Sequence, residues 1–332
     1  MSAELKILLY FMGSALISAV TAPFFVALLG KLKARQTVLG YVTQHEHKSG
    51  TPTMGGIIFL LPLLISALCE STSFSLVSAS VIFGFGVLGF LDDFIKIRFS
   101  RNLGLKPYQK IIGQLGLSAI AAYFCYASPY AGSQINVPFG APAELSYGII
   151  PFVILIFVAT TNSVNLTDGL DGLAATVSAG YFAVFAAVTY LAYTDATGAG
   201  DARAANEILS LTAICASAAG GLSGYLIFNS NPATVMMGDT GSLALGAAVA
   251  CVAVFSRNPF LLPVAGIMFV WSSISVIMQV LVFKATKKRI FLMAPFHHHL
   301  EMKGLSEAKI CALYFFVTAV AGAITLIFAR TI

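Results

Sequence analysis

Charge is what this chain has least of. Only 10% of its 332 residues are Asp, Glu, Lys or Arg, against 58% hydrophobic, and the mean hydropathy is +0.87. A soluble domain carries about 25% charged residues, so an ordinary soluble fold is excluded. Paired cysteines are missing too. Cys69, Cys125, Cys215, Cys251 and Cys311 sit singly in or beside apolar runs, which excludes a disulfide framework or a thiolate metal site and leaves small buried hydrophobes. No G-x-x-x-x-G-K-[ST] stretch occurs, so the chain is not a P-loop ATPase pump. There is no low-complexity segment and no internal repeat. The first apolar run has its basic flank after it and no A-x-A-like site, which is not the pattern of a cleaved signal peptide.

What is there is ten apolar runs, at 7–29, 54–68, 74–91, 111–126, 147–164, 173–193, 208–228, 242–255, 260–282 and 310–328, none containing an Asp, Glu, Lys or Arg. A membrane-spanning helix takes about 20 apolar residues, fewer where neighbours shield it. The runs predict an all-α integral membrane protein of about ten transmembrane helices, a single polytopic domain over 1–332. Basic residues orient it. Lys31, Lys33, Arg35 and Lys48 fall in the first connection, and Lys96, Arg98, Arg101, Lys106 and Lys110 in the third. Lys284, Lys287, Lys288, Arg289 and Lys303 fall in the ninth, with Lys309 at its edge; only Arg203 and Arg257 lie in even connections. By the positive-inside bias the odd connections are cytoplasmic and both termini are outside. The longest outer connection, 127–146, carries Pro129, Pro138 and Pro142, and 134–139 is expected to form a small hairpin.

The polar clusters all lie in odd connections. Asn162, Asn165, Asp168 and Asp171 recur every third residue in a stretch that ends Asp168-Gly169-Leu170-Asp171-Gly172. On a helix such a row drifts by about 60° per step, so neighbours share a side. Asp92 and Asp93 close the third run about 100° apart, so only one can face a given ligand squarely, and Lys96 can offset Asp92 as an i,i+4 pair. Asn229 and Asn231 precede Met237-Gly238-Asp239-Thr240-Gly241, and His297-His298-His299 sits in the ninth connection.

Five carboxylates (Asp92, Asp93, Asp168, Asp171, Asp239) with loop asparagines suit a hard, oxygen-preferring ion. Mg²⁺ is typically held by one or two carboxylates plus substrate phosphates. Three successive histidines cannot all ligate one ion from a regular helix, which favours phosphate binding and proton handling over zinc. Lys48, Lys96 and Lys110 suit an anionic substrate. Together these groups imply phosphoryl transfer between a lipid and a soluble partner at the bilayer surface. Each buried CH₂ holds a lipid tail in the membrane by ~0.8 kcal/mol, so the site must come to the interface, and an apolar groove should lead from it into the bilayer.

Thr51-Pro52-Thr53-Met54-Gly55-Gly56, Asp92-Asp93-Phe94-Ile95-Lys96, the 162–171 stretch, Met237-Gly238-Asp239-Thr240-Gly241-Ser242-Leu243 and Ala294-Pro295-Phe296-His297-His298-His299-Leu300-Glu301 follow one another in this order. Over essentially its whole length the chain resembles the phospho-N-acetylmuramoyl-pentapeptide transferases, a branch of the polyprenyl-phosphate N-acetylhexosamine-1-phosphate transferases. The wider superfamily shares the aspartate motifs; the triple histidine with Leu-Glu and the Pro-Thr-Met-Gly-Gly stretch resemble the muramoyl-pentapeptide branch.

The resemblance implies transfer of phospho-MurNAc-pentapeptide from UDP-MurNAc-pentapeptide to undecaprenyl phosphate, giving lipid I and UMP, with Mg²⁺. It also implies a homodimer in the bacterial cytoplasmic membrane, its active site on the cytoplasmic face, with membrane lipids around it and no nucleic-acid partner. Residue by residue, Asp239 matches the Mg²⁺ ligand, Asp92 and Asp93 the catalytic pair near the lipid phosphate, and Lys110 a basic residue needed for activity. His297, His298 and His299 match the histidine motif. Asp168, Gly169, Leu170 and Asp171 match the loop that holds the uridine, with Lys48, Thr53, Asn165 and Asn229 nearby. Met236 stands where the family often has a Phe thought to stack on the uracil; a thioether can cover a ring face, less directionally. Leu300 and Leu305 replace aromatics common after the histidines.

Two routes fit this reaction: direct attack of the lipid phosphate on the β-phosphate, and a covalent intermediate on an Asp. A phosphate monoester has its second pKa near ~6, so the lipid phosphate is largely dianionic and needs little activation, which favours direct attack. Two other readings are a transferase loading GlcNAc-1-phosphate and an ion-coupled secondary transporter. Carriers place ionisable groups near the bilayer midplane, and these spans have none.

Overall fold

The computed structural model describes residues 2–32, 50–99 and 104–331. Helices α1 (Ala3–Lys31), α2 (Ile57–Glu70), α3 (Ser73–Arg98), α4 (Pro107–Ala127), α5 (Ile149–Thr167), α6 (Leu173–Gly198), α7 (Ala202–Asn229) and α8 (Gly238–Phe255) follow in order. After them come the four-residue α9 (Leu262–Ala265), α10 (Ile267–Thr286), the seven-residue α11 (Phe296–Met302) and α12 (Glu307–Ala329). Among the described residues, nine helices are long and apolar enough to cross a membrane, and α2, with 14 residues, is a shorter apolar helix. In hydrocarbon every backbone polar group must be satisfied within the protein, which an apolar run achieves by closing its own helical ladder. The protein is an all-α, multi-pass membrane protein.

The ten expected runs each contain helix, with two departures. The 260–282 run is not one helix: a 3₁₀ turn at Pro259–Leu261 and α9 lead through Gly266 into α10. Pro259 and Pro263 lack the N–H that a continuous ladder needs. The histidine motif, which apolar periodicity could not register, forms α11.

The hairpin forms further along the chain than expected. Strand β1 (Gln134–Ile135) pairs antiparallel with β2 (Ala143–Glu144), in the register Gln134↔Glu144 and Ile135↔Ala143. Pro138 and Pro142 cannot donate to a ladder, so pairing resumes only at Ala143. Asn136 N–H donates to the Arg257 carbonyl (2.8 Å) and Arg257 Nε to the Ala131 carbonyl (2.7 Å), fastening this cap onto the end of α8.

Helices α7 and α8 form the centre. α7 packs on α1, α2 and α6, while α8 packs on α3 and α5. Every residue of α8 from Thr240 to Phe255 is buried, so this helix has no lipid-facing side. Its Ala, Gly and Ser residues let neighbouring backbones come close, which is how helices associate where the solvent is as apolar as leucine. Leu8, Leu16, Val20 and Phe24 on α1, by contrast, are exposed, as a lipid-facing wall requires. The N-terminus of the most enclosed helix carries Asp239.

Candidate active site

A helix leaves its first four N–H groups without intrahelical partners. At α8 the partner comes from α3. The Asp93 carboxylate accepts from Asp239 N–H (3.2 Å), Thr240 N–H (2.9 Å) and Thr240 Oγ1 (2.8 Å). An anion at a helix N-terminus also meets the positive end of the macrodipole. This capping is possible because α3 approaches so closely at Gly89, where a Cβ would fall on the Asp239 carbonyl and 2.7 Å from Thr240 N. Gly238, just before Asp239, has φ +72°, a left-handed turn, and a Cβ on it would come 2.6 Å from Asp93 Oδ2 and 2.8 Å from Thr53 Oγ1.

Asp239 gathers the rest. Its Oδ2 lies 2.7 Å from Lys110 Nζ and 3.1 Å from Lys96 Nζ; its Oδ1 accepts from Asn165 Nδ2 (2.7 Å), which also reaches Ser242 Oγ (2.8 Å). Buried Asp92 points elsewhere than Asp93, as adjacent helical residues must: its Oδ2 is 2.6 Å from Lys96 Nζ and its Oδ1 accepts from Leu105 N–H (2.9 Å). Four elements thus converge: the end of α3, the first turn of α4, the end of α5 and the start of α8. One oxygen from each of Asp92, Asp93 and Asp239 lies within 4.8 Å of the others. Three hard, clustered carboxylates suit a hard divalent cation. Asp93 has both oxygens committed to the α8 terminus and lies 3.7 Å from Lys96, whereas Asp92 and Asp239 each hold a lysine ammonium at 2.6–3.1 Å through one oxygen, so the latter two are better placed to exchange it for an ion.

The second half of the site is the turn after α5. A Cβ on Gly169 would fall on His297 Nε2 and 3.1 Å from His298 Nε2, so only glycine lets both imidazoles lie against this turn. His297 is fully buried, and His298 Nδ1 is 3.0 Å from Glu301 Oε2. His299 faces away from this turn. Its Nδ1 accepts from Leu292 N–H (3.1 Å), and burial, aided by Lys303, holds its pKa below the ordinary value, as a neutral acceptor requires.

Several expected substrate contacts are occupied in holding the chain. The Asp171 carboxylate accepts from Asn231 Nδ2 (3.1 Å) and Ala233 N–H (3.0 Å), and its N–H donates to Glu307 Oε2 (2.9 Å). Leu170 is buried, and Asn229 Nδ2 donates to the Val235 carbonyl (2.9 Å). Met236 exchanges main-chain hydrogen bonds with the Pro52 carbonyl and Gly55 N–H, both 2.8 Å, and its side chain is partly exposed. Lys48 lies outside the described residues. The row from Asn162 to Asp171 does not stay on one side. Asn162 Nδ2 turns to Gln114 Oε1 (2.8 Å) and Asn165 to Asp239, while Asp171 lies beyond the end of α5 and serves the 231–233 turn. Lys96 stood in the sequence as a helical partner of Asp92 and as one of the cations suited to an anionic substrate; the structure puts it at the centre of the three carboxylates. Glu307 gave no sequence signal and Ser242 stood only inside the 237–243 motif with no role of its own, because their partners are 136 and 77 residues away.

Asp168, between the two halves, is pushed up to about 8 from the ordinary 3.8, by burial first and then by the charges of Asp239, Asp93 and Asp171. Between those values the folded protein binds more protons at this group than the unfolded chain does, so its contribution to stability falls as pH rises from about 4 to about 8. In chelator-treated protein the Tm should therefore drop more from pH 6 to pH 8.5 in the wild type than in Asp168→Asn. Equal drops would sink this account of Asp168.

A bundle of apolar helices with acidic, basic and amide groups gathered at one end is the frame of a membrane-embedded transferase, and residues 74–257 match glycosyl transferase family 4. Residues 48–60 match the phospho-N-acetylmuramoyl-pentapeptide-transferase signature 1. A phospho-N-acetylmuramoyl-pentapeptide-transferase of Thermoanaerobacter sp. (strain X514) is 42% identical over 320 residues, covering 95% of this chain and 96% of its own. Proteins of the same description from Clostridioides difficile (42% over 317 residues, 94% of each chain) and Halalkalibacterium halodurans (39% over 323 residues, 95% and 94%) align as fully. The chain belongs to the phospho-N-acetylmuramoyl-pentapeptide-transferase family.

Proposed function

We propose that this protein transfers phospho-MurNAc-pentapeptide from UDP-MurNAc-pentapeptide to undecaprenyl phosphate, releasing UMP and leaving lipid I in the membrane. The observation that carries this reading is the Asp92, Asp93, Asp239 cluster, with Lys96 and Lys110 on one oxygen of Asp239, in a chain of this family. Asp239 and Asp92 would hold Mg²⁺, with Asp93 behind them; when bound, the ion neutralises charge on the pyrophosphate. The lysines do the same work from the protein side, drawing two anions together. The lipid phosphate oxygen forms a new bond to the β-phosphorus while the bond from that phosphorus to the UMP oxygen breaks. A dianionic nucleophile needs no base, and Asp92 takes the proton from any monoanionic fraction. Asp93 acts through α8, keeping Asp239 where the lysines meet it. Asp168, Gly169, His297 and His298 form the side of the site toward the nucleotide. The basic residues of the odd connections support a cytoplasmic placement for this end of the bundle with both termini outside, and the family resemblance implies a homodimer.

The test is UMP release by purified protein in detergent, where no ion gradient exists. Release should require both substrates, stop on chelation and return with Mg²⁺. Consumption of UDP-GlcNAc instead would reassign the protein to the neighbouring branch. UMP appearing before the lipid is added would replace direct attack with an Asp-bound intermediate.

A further inference from the structure

The transfer chemistry leaves unused a cavity at the end of α10. This 390 Å³ space is walled by Val276, Val280, Phe283 and Met293, together with Lys284 and Arg289. It is a built cavity. Gln279 Oε1 accepts from Ile290 N–H (3.1 Å) and Phe291 N–H (3.0 Å), and its Nε2 donates to the Phe291 carbonyl (3.0 Å). Phe296 N–H donates to Ser275 Oγ (3.1 Å). The chain after α10 is thereby fastened back along the helix, and the space between the two is the cavity.

Charge describes the occupant. Lys284, Lys287, Lys288 and Arg289 are four exposed cations within six residues at the end of an apolar helix. The ion pairs among the described residues involve none of them. No Asp or Glu occurs in the sequence between Asp239 and Glu301. Cations clustered beside a membrane span attract anionic headgroups, by about 1 kcal/mol per residue. A free soluble anion would satisfy the cations but leave the Val, Phe and Met walls uncovered, whereas exposed Leu281, Ile290 and Leu292 open this surface to lipid.

We infer that the cavity seats an anionic phospholipid, its phosphate on Lys284 and Arg289 and one acyl chain along Val276 and Val280. The wall formed by Met293 and Ala294 runs directly into Phe296 and His297, so the seated lipid braces the segment that carries α11 against α10.

Trp271, the only tryptophan of the chain, reports on this seat. It lies 13 residues before Lys284, roughly 20 Å along α10, and its ring packs on Phe296 at 5.5 Å between centroids. The full-length protein is reconstituted in phosphatidylcholine vesicles into which acyl-brominated phosphatidylglycerol or acyl-brominated phosphatidylcholine is titrated. Trp271 fluorescence should be quenched by the phosphatidylglycerol at a much lower mole fraction, a preference of up to about 30-fold for two cations. Lys284→Gln with Arg289→Gln should reduce that preference to near one while UMP release remains. Val280→Phe, which fills the apolar wall and leaves the cations, should abolish it as well, and stands in if the double variant does not reconstitute. Equal quenching by the two lipids, or a preference unchanged in both variants, would overturn the assignment. So would displacement of the phosphatidylglycerol by stoichiometric undecaprenyl phosphate, which would make the cavity the substrate's seat. Quenching reads binding without turnover, so it stands whether or not the transfer reaction is as proposed.

Discussion

Asp239→Asn is expected to lower UMP release by roughly 10³-fold while the protein stays folded. Its Oδ2 is shared by Lys96 and Lys110, and its Oδ1 by Asn165. The amide has a single oxygen: it either keeps the acceptor for Asn165 and turns an NH₂ toward the two ammoniums, or offers them an uncharged oxygen and loses the Asn165 bond. Lys96 keeps Asp92, 2.6 Å away, whereas Lys110 has no other ion pair among the described residues. The charge needed to hold a divalent ion falls by one, and the lysines are no longer brought to one point. Initial rates measured across a Mg²⁺ titration check this. A variant with full activity at low Mg²⁺ would remove Asp239 from the metal site.

Gly89→Ala should be nearly as damaging although it adds one methyl and removes no functional group. The methyl would fall on the Asp239 carbonyl and 2.7 Å from Thr240 N, and these are backbone atoms of a fully enclosed helix, without the rotamers that let a side chain step aside. Overpacking of this kind costs about 1–3 kcal/mol. Separation of α3 from α8 also stretches the three bonds by which Asp93 holds the α8 terminus. A displacement of about 1 Å at reacting groups can cost 10²-fold in rate, so a loss of at least that size is expected, with a lower Tm in detergent. Gly86→Ala is the control. Three residues earlier on α3, its methyl would meet Ala244 Cβ at 3.6 Å, an ordinary contact, and both rate and Tm should stay close to wild type. If Gly89→Ala behaved like Gly86→Ala, close approach of these helices would not be what positions Asp239.

The two substitutions differ in how far the sequence reveals them. Asp239 is a weak signal by itself, since a lone Asp in a glycine turn is usually a turn residue, but it stands out as part of the 237–243 motif. Gly89 does not, since it is one small residue inside a run that contains others, and its importance comes from α8 crossing it about 150 residues later in the chain. Asp93 is intermediate: its charge marks it as functional, but its role as the cap of α8 depends on an orientation that adjacency to Asp92 leaves open. Asp171 and His299 carry the strongest residue types in their motifs. Yet Asp171 Oδ2 is spent on the 231–233 turn and His299 Nδ1 on Leu292, because the 231–233 turn and the 287–295 segment must be satisfied before any ligand is.

The order of the apolar helices, and the family to which the chain belongs, were determined by the sequence alone. A bilayer admits few solutions for a long apolar run, and a motif is a local pattern. Which carboxylate meets which lysine, that Gly169 bears the histidines, and that α10 ends beside a charged, apolar-walled cavity were decided only by the tertiary structure. These are contacts between segments tens to more than a hundred residues apart, set by how closely helices can pack and not by any one segment's composition.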